Sequence, residues 1–175
     1  DPNNLAPTAS TTAQMAMGDA LATSLCALRG FSPKDFAQFH PGGSLGKQLY
    51  LRVSDLYIHN ARPMVEPTTG IKRTILEITS KRLGATAVVD TDEKVLGIVT
   101  DGDLRRMLER LDNWAEVCAQ DIMSAHPKTI FAHAMAVHAL EIMRNYSISQ
   151  LLVVDEAQKY VGVVHLHDLI REGIV

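Results

Sequence analysis

The residues best equipped for chemistry sit in two phrases of one shape. The first reads Gly97-Ile98-Val99-Thr100-Asp101-Gly102-Asp103-Leu104, with Thr100 and Asp103 three residues apart at a strand-to-helix junction. The second reads Gly162-Val163-Val164-His165-Leu166-His167-Asp168-Leu169, with His165 in the threonine position and Asp168 in the aspartate position. A hydroxyl beside the free N–H groups of a helix start makes a phosphate cradle favoured by the helix dipole. A carboxylate one turn further in accepts hydroxyl protons. The plainer role for such Thr and Asp residues is to cap the helix. Thr86 and the cationic Lys81 and Arg82 precede the first phrase and complete the candidate ligand-binding set of Arg82, Thr86, Thr100, Asp103, His165, His167 and Asp168. Imidazoles in the second phrase suit a carboxylate or phosphate, so the expected ligand is acidic. His126, His133 and His138 join the other histidines in a scattered pattern without metal-ligand spacing, and no metal site is expected.

These phrases are positioned by a repeat. Val88-Val89-Asp90 falls on Val153-Val154-Asp155 at an offset of 65, and Lys94, Gly97, Val99, Asp103, Leu104 and Arg106 meet Lys159, Gly162, Val164, Asp168, Leu169 and Arg171 without a gap. One copy is too small to bury its own apolar faces, and two stacked copies can. Each copy predicts a short helical turn (Val53 to Tyr57; Ala119 to Met123), then an extended piece (Met64 to Glu66; Lys128 to Ile130). An amphipathic helix follows, marked by Ile71, Ile75, Ile78 and Leu83 after a cap at Thr69, and by Val137, Leu140, Ile142 and Met143. Gly84 is the expected stop of the first. Paired strands come next: Thr86 to Asp90 with Val95 to Thr100, and Leu151 to Asp155 with Tyr160 to His165. Closing helices run to about Arg110 and about Gly173. The class is α/β.

The 175 residues are 46% hydrophobic with a formal net charge of -3, which suits a globular fold and gives no basic surface for nucleic acid. No apolar run reaches the roughly 20 residues that span a bilayer, so no membrane partner is expected and the protein is read as cytoplasmic. Cys26 and Cys118 lack metal or redox spacing and read as buried thiols. The opening at Asp1, without methionine, suggests a piece of a longer protein.

Residues before the repeat follow another pattern. Thr11 and Gln14 suggest a capping box for an Ala-, Met- and Leu-rich helix running to Leu28 before Gly30. Its residues Met15, Met17, Leu21, Leu25 and Leu28 call for a partner surface. Ser32-Pro33-Lys34-Asp35 opens a short helix that ends before Phe39-His40-Pro41-Gly42-Gly43-Ser44-Leu45-Gly46.

The two duplicated phrases resemble the signature of cystathionine beta-synthase (CBS) modules, a tandem pair of βαββα units. That family commonly takes adenosine or other nucleotide ligands in its clefts, and the resemblance implies that Asp103 holds ribose hydroxyls. The second phrase departs from the pattern at His165 and His167. The glycine-rich motif around His40, with Ala6-Pro7-Thr8-Ala9-Ser10-Thr11-Thr12 and Gly18-Asp19-Ala20-Leu21, resembles the end of the sugar isomerase (SIS) domain of arabinose 5-phosphate isomerases, which carry a CBS pair next.

The resemblance implies three parts: the end of an SIS domain and linker at 1–52, CBS module 1 at 53–112 and CBS module 2 at 113–175. It implies an aldose-ketose isomerase converting ribulose 5-phosphate to arabinose 5-phosphate for Kdo and surface polysaccharide synthesis. His40 falls on an active-site histidine of that family, and its titration range suits proton transfer through an enediol; the other reading of His40 is a helix end in a glycine-rich linker. No cofactor is implied for catalysis, the parent is expected to form homo-oligomers, and the 175 residues alone are expected to be inactive. The expected regulatory ligand is a nucleotide or nucleotide sugar such as CMP-Kdo, which joins a ribose to a carboxylated sugar. A ligand-free dimerisation module and a free-standing adenine-nucleotide sensor are the alternatives.

Overall fold

Ala85-Thr86-Ala87-Val88-Val89 exposes almost nothing to solvent, and in the computed structural model, which describes residues 3, 6–40 and 43–174, it is the central strand of the first repeat. Its alternation serves two apolar surfaces: Val88 packs with Ile78 and Val99 beneath the helices, while Ala87 and Val89 face the other repeat. Asp1–Gly46 and Lys47–Val175 form separate compact units.

In the first unit α1 (Ala9–Leu28) has no buried residue, and Met15, Met17 and Leu28 are 72%, 63% and 84% exposed. Its N-cap is Thr8, whose side chain does not cap the helix; Thr11 instead donates back to the carbonyls of Pro7 and Thr8, so the expected Thr11 capping box does not form. Gly30, at φ +62°, ends the helix in a left-handed turn closed by Gly30 N–H to Ala27 O and Phe31 N–H to Cys26 O. Cys26 is exposed and Cys118 half-buried, neither in a core as expected: one lies on the bare α1, the other at the mouth of a helical turn. The short helix expected to open at Ser32-Pro33-Lys34-Asp35 is α2 (Pro33–Phe39), and Ser32 and Asp35 make a reciprocal cap at its start.

The second unit starts with part of α3 (Ser44–Tyr50) and holds both repeats. The first contributes α4 (Ser54–Tyr57), β1 (Met64–Val65), α5 (Ile71–Lys81), β2 (Ala85–Val89), β3 (Val95–Thr100) and α6 (Asp101–Arg110). The second contributes α7 (Ala119–Ile122), β4 (Ser124–Ala125), β5 (Thr129–Phe131), α8 (Ala136–Tyr146), β6 (Gln150–Val154), β7 (Tyr160–His165) and α9 (Leu166–Arg171). Strands β1 and β2 are parallel, β2 and β3 antiparallel, and the second repeat copies this with β5, β6 and β7.

The repeats exchange their opening turns. Val53 and Leu56 lie in the core of the second repeat with Leu140, Val153 and Leu169, whereas Ala119 packs with Val88 and Val99 of the first. Strand β4 likewise pairs with β3, Gly97 opposite Ala125. This exchange explains the matched glycines. A Cβ on Gly162 would sit 2.6 Å from Cδ2 of Tyr57, and one on Gly97 would meet Met123, whose Cβ lies 3.0 Å away. Gly162→Ala is therefore expected to cost about 1–3 kcal/mol in denaturant unfolding, and Gly97→Ala less, because a thioether yields more readily than a ring.

The backbone repeats its irregularities too. Arg82 and Ser147 end α5 and α8 in the left-handed region at φ 58° and 53°, and Glu93 and Gln158 turn the hairpins at φ 62°. The α5 stop is thus Arg82 rather than the expected Gly84, which follows at φ +66°. Its start is Gly70 rather than Thr69, whose hydroxyl accepts the Glu66 N–H.

Candidate functional site

The two phrases fold into the same cap with different consequences. Thr100 caps α6: its hydroxyl oxygen accepts the Asp103 N–H at 3.2 Å, and Asp103 Oδ2 accepts the Thr100 N–H at 2.8 Å and hydroxyl at 2.6 Å. The other oxygen, Oδ1, accepts from Arg106 at 2.6 Å and from the Ser124 hydroxyl at 3.3 Å. Asp103 is 6% exposed, and both of its oxygens are occupied. Burial pushes its carboxyl up, but the bonds from Thr100 and the bond and charge of Arg106 outweigh this and hold it below the usual value.

Asp168, 5% exposed, is held tightly on one side and more loosely on the other. Its Oδ2 accepts the His165 N–H at 2.9 Å and Asn60 Nδ2 at 2.6 Å, while Oδ1 has Arg171 at 3.5 Å. His165 Nδ1 accepts the His167 N–H at 3.0 Å, which makes its ring neutral with the proton on Nε2. The imidazoles stack at 4.9 Å between centroids. Burial first, then neighbouring His167, lowers the His165 pKa against the opposing pull of Asp168.

His165, His167 and Asp168 line a cavity of about 470 Å³ with Arg82, Gly84, Asp101 and Gln150, at the meeting of the repeats. That volume lies in the range of roughly 300–1,000 Å³ found for small-molecule sites. Asp103 lines a different cavity, of about 330 Å³, with Arg106, Arg110 and Asp121. Thr86 is fully buried with its hydroxyl donating to the Ala87 carbonyl, and neither Thr86 nor Thr100 lines either cavity.

The expected phosphate cradles at the helix starts are largely spent. The Asp101 N–H goes to Gly84 O and the Leu166 N–H to Ser149 O; those of Asp103 and His167 go to the caps. Side chains, not helix ends, are what the larger cavity offers. Asp101 and Gln150 were absent from the sequence-based set because one lies a residue from a cap and the other belongs to the opposite repeat. Gln150 Nε2 donates to Leu83 O across the seam, a contact no spacing reveals.

His165 makes stability depend on pH. Its folded pKa is below the ordinary histidine value of 6.5, so the unfolded chain binds more protons as pH falls below that value. The associated stability is fully present above about pH 7 and is lost as pH falls through the folded pKa. The groups around the ring are Arg82, Asp101, His167 and Asp168. His165→Thr, which restores the Thr100 type of cap, is expected to flatten the dependence of melting temperature on pH just below about pH 7 and to leave the carboxylate-driven loss at lower pH. An unchanged slope in calorimetric scans would assign it elsewhere.

In the other unit, His40 is exposed at the end of α2, its N–H bonded to Phe36 O and its ring 4.6 Å from that of Phe36. Pro41 and Gly42 of its motif lie outside the described residues.

Two βαββα repeats with exchanged turns and a small-molecule-sized cavity at their seam define a paired α/β module. The chain belongs to the CBS domain family, whose model matches residues 53–110 and 119–174. It is also similar to arabinose 5-phosphate isomerase KdsD of Pseudomonas aeruginosa, 44% identical over 175 residues, which cover 99% of this chain and 54% of that protein. The KdsD of Francisella tularensis is 46% identical over 171 residues, 97% of this chain and 52% of that one. The chain thus spans about half the length of the curated relatives it matches. Among solved structures, a CBS domain protein from Pyrobaculum aerophilum complexed with AMP superposes with a TM-score of 0.60 at 27% identity, covering 68% of this chain and 90% of that one. Among the described residues, no helix is long and apolar enough to cross a membrane.

Proposed function

We propose that this chain is the regulatory part of an arabinose 5-phosphate isomerase, and that the cavity at Arg82, His165 and Asp168 takes a nucleotide or nucleotide sugar. The observation that carries the reading is the unequal aspartates. Asp103 Oδ1 accepts from Arg106 at 2.6 Å and from Ser124 at 3.3 Å, while Asp168 Oδ1 is paired with Arg171 at the longer distance of 3.5 Å, and Asp168 lines a cavity with Arg82 and two imidazoles. A carboxylate accepts ligand hydroxyls, and Arg82 with the imidazoles meets an acidic group. A sugar nucleotide carrying a carboxylate has both. The names of the similar isomerases and the AMP in the Pyrobaculum structure support a nucleotide-type ligand beside an isomerase. CMP-Kdo, from the pathway that the parent activity would feed, fits best. In the parent, His40 shuttles protons in the conversion of ribulose 5-phosphate to arabinose 5-phosphate.

Calorimetric titration of the 175-residue chain with CMP-Kdo, CMP, AMP and ATP tests the ligand. CMP-Kdo is expected to bind most tightly. Preference for an adenine nucleotide would favour a general adenylate sensor, and no binding would favour a ligand-free association module.

A further inference from the structure

The chain entering the second unit is fastened to the second repeat at the two ends of one small helix. Helix α9 begins at the cavity, where His165, His167 and Asp168 stand, and six residues later gives way to Glu172. Six residues rise only about 9 Å. Glu172 accepts a hydrogen bond from Lys47 Nζ at 2.9 Å, with both side chains about a third exposed (32% and 29%). The hydrogen bond first and the lysine charge second lower the pKa of the glutamate.

At the cavity end, Asn60 donates to Asp168 Oδ2 at 2.6 Å and to Val163 O at 3.0 Å. Between Lys47 and Asn60 the backbone is tied to the second repeat: Val53 N–H to Ala134 O, Ser54 N–H to Ala132 O, Ala136 N–H to Leu51 O. Leu51 packs on the same core as Leu169 of α9. An entry segment built this way shares its anchor points with the cavity wall.

We propose that α9 is a coupling element, passing occupancy of the His165 and Asp168 cavity to Lys47 through the Lys47–Glu172 ion pair. This rests on the ligand site proposed above. A ligand that draws Asp168 toward its hydroxyls loosens Asn60 and moves α9 along its axis, and Glu172 carries that movement to a lysine seven residues after His40 in sequence. Because coupling is reciprocal, a change at Lys47 alters ligand affinity by the same factor that the ligand alters the state of α3.

The test is amide hydrogen exchange at residues 44–54 of the full-length protein, with and without saturating CMP-Kdo, in wild type, Glu172→Gln, and the charge-reversed pair Lys47→Glu with Glu172→Lys. The ligand is expected to change exchange there by at least about fivefold in wild type, to have little effect in Glu172→Gln, and to regain part of its effect in the reversed pair. A ligand response that survives in Glu172→Gln overturns the proposal. Should CMP-Kdo not bind, the ligand reading fails on its own, and Asp168→Asn serves as the perturbation. A change at 44–54 that Glu172→Gln abolishes supports coupling, and identical exchange in both backgrounds overturns it.

Discussion

Tyr160→Ala is expected to destabilise the second unit by about 3–5 kcal/mol, the usual cost of deleting a buried aromatic ring. Tyr160 is fully buried where the repeats face each other, packed with Ala87, Val89, Leu152 and Val163. Its N–H donates to Glu93 O at 2.8 Å, its hydroxyl donates to Pro63 O at 2.9 Å, and Arg62 lies 5.3 Å over its ring while pairing with Glu93 at 3.1 Å. Burial, more than any neighbouring charge, raises the pKa of its hydroxyl, so it stays protonated as a donor. Its counterpart in the first repeat is Val95, so this one ring fills a seam that symmetry alone would leave underpacked. Tyr160→Phe should cost only about 1 kcal/mol, because Pro63 O keeps the Ala87 N–H at 3.2 Å. Urea unfolding of both variants separates the terms. Equal losses would mean that the hydroxyl, not the ring, holds the seam.

On the role proposed for it, His40→Ala in the full-length protein is expected to reduce kcat for arabinose 5-phosphate formation by about 10²–10⁴, the weight of a lost general acid–base group. Its stability should shift by less than about 0.5 kcal/mol, since the side chain is exposed and its contact is the adjacent Phe36 ring. Ligand affinity at the Asp168 cavity should be unchanged apart from whatever coupling reaches it. A variant retaining kcat to within about threefold would return His40 to the role of a helix end.

Strands β3 and β7 were legible in the sequence to the residue, and the end of helix α6 approximately, because β-branched runs meet Thr100 and His165 where the period changes. The exchange of α4 and α7 was not. Val53-Ser54-Asp55-Leu56 carries the same local signals whichever core receives it, and the choice shows only in distant contacts, such as Tyr57 against Gly162 and Leu56 in the core of Leu140 and Leu169. The site divided in the same way. Position and residue type picked out Arg82, His165, His167 and Asp168, which share one cavity. Spacing could not show that Thr86 points inward, that Arg106 and Ser124 close Asp103, or that cap and seam bonds consume the helix-start N–H groups. The aspartate of the phrase closer to the family signature is therefore the more tightly bonded, and that of the histidine-bearing phrase, buried to the same degree, is the more loosely paired.

The most direct test compares CMP-Kdo affinity in Asp168→Asn and Asp103→Asn by calorimetry. Asp168→Asn should weaken binding by at least about tenfold, the weight of one charge-assisted hydrogen bond to a ligand hydroxyl, and Asp103→Asn by less than about threefold. The reverse order, with Asp103→Asn losing affinity and Asp168→Asn keeping it, would contradict the placement of the ligand in the second repeat's cavity.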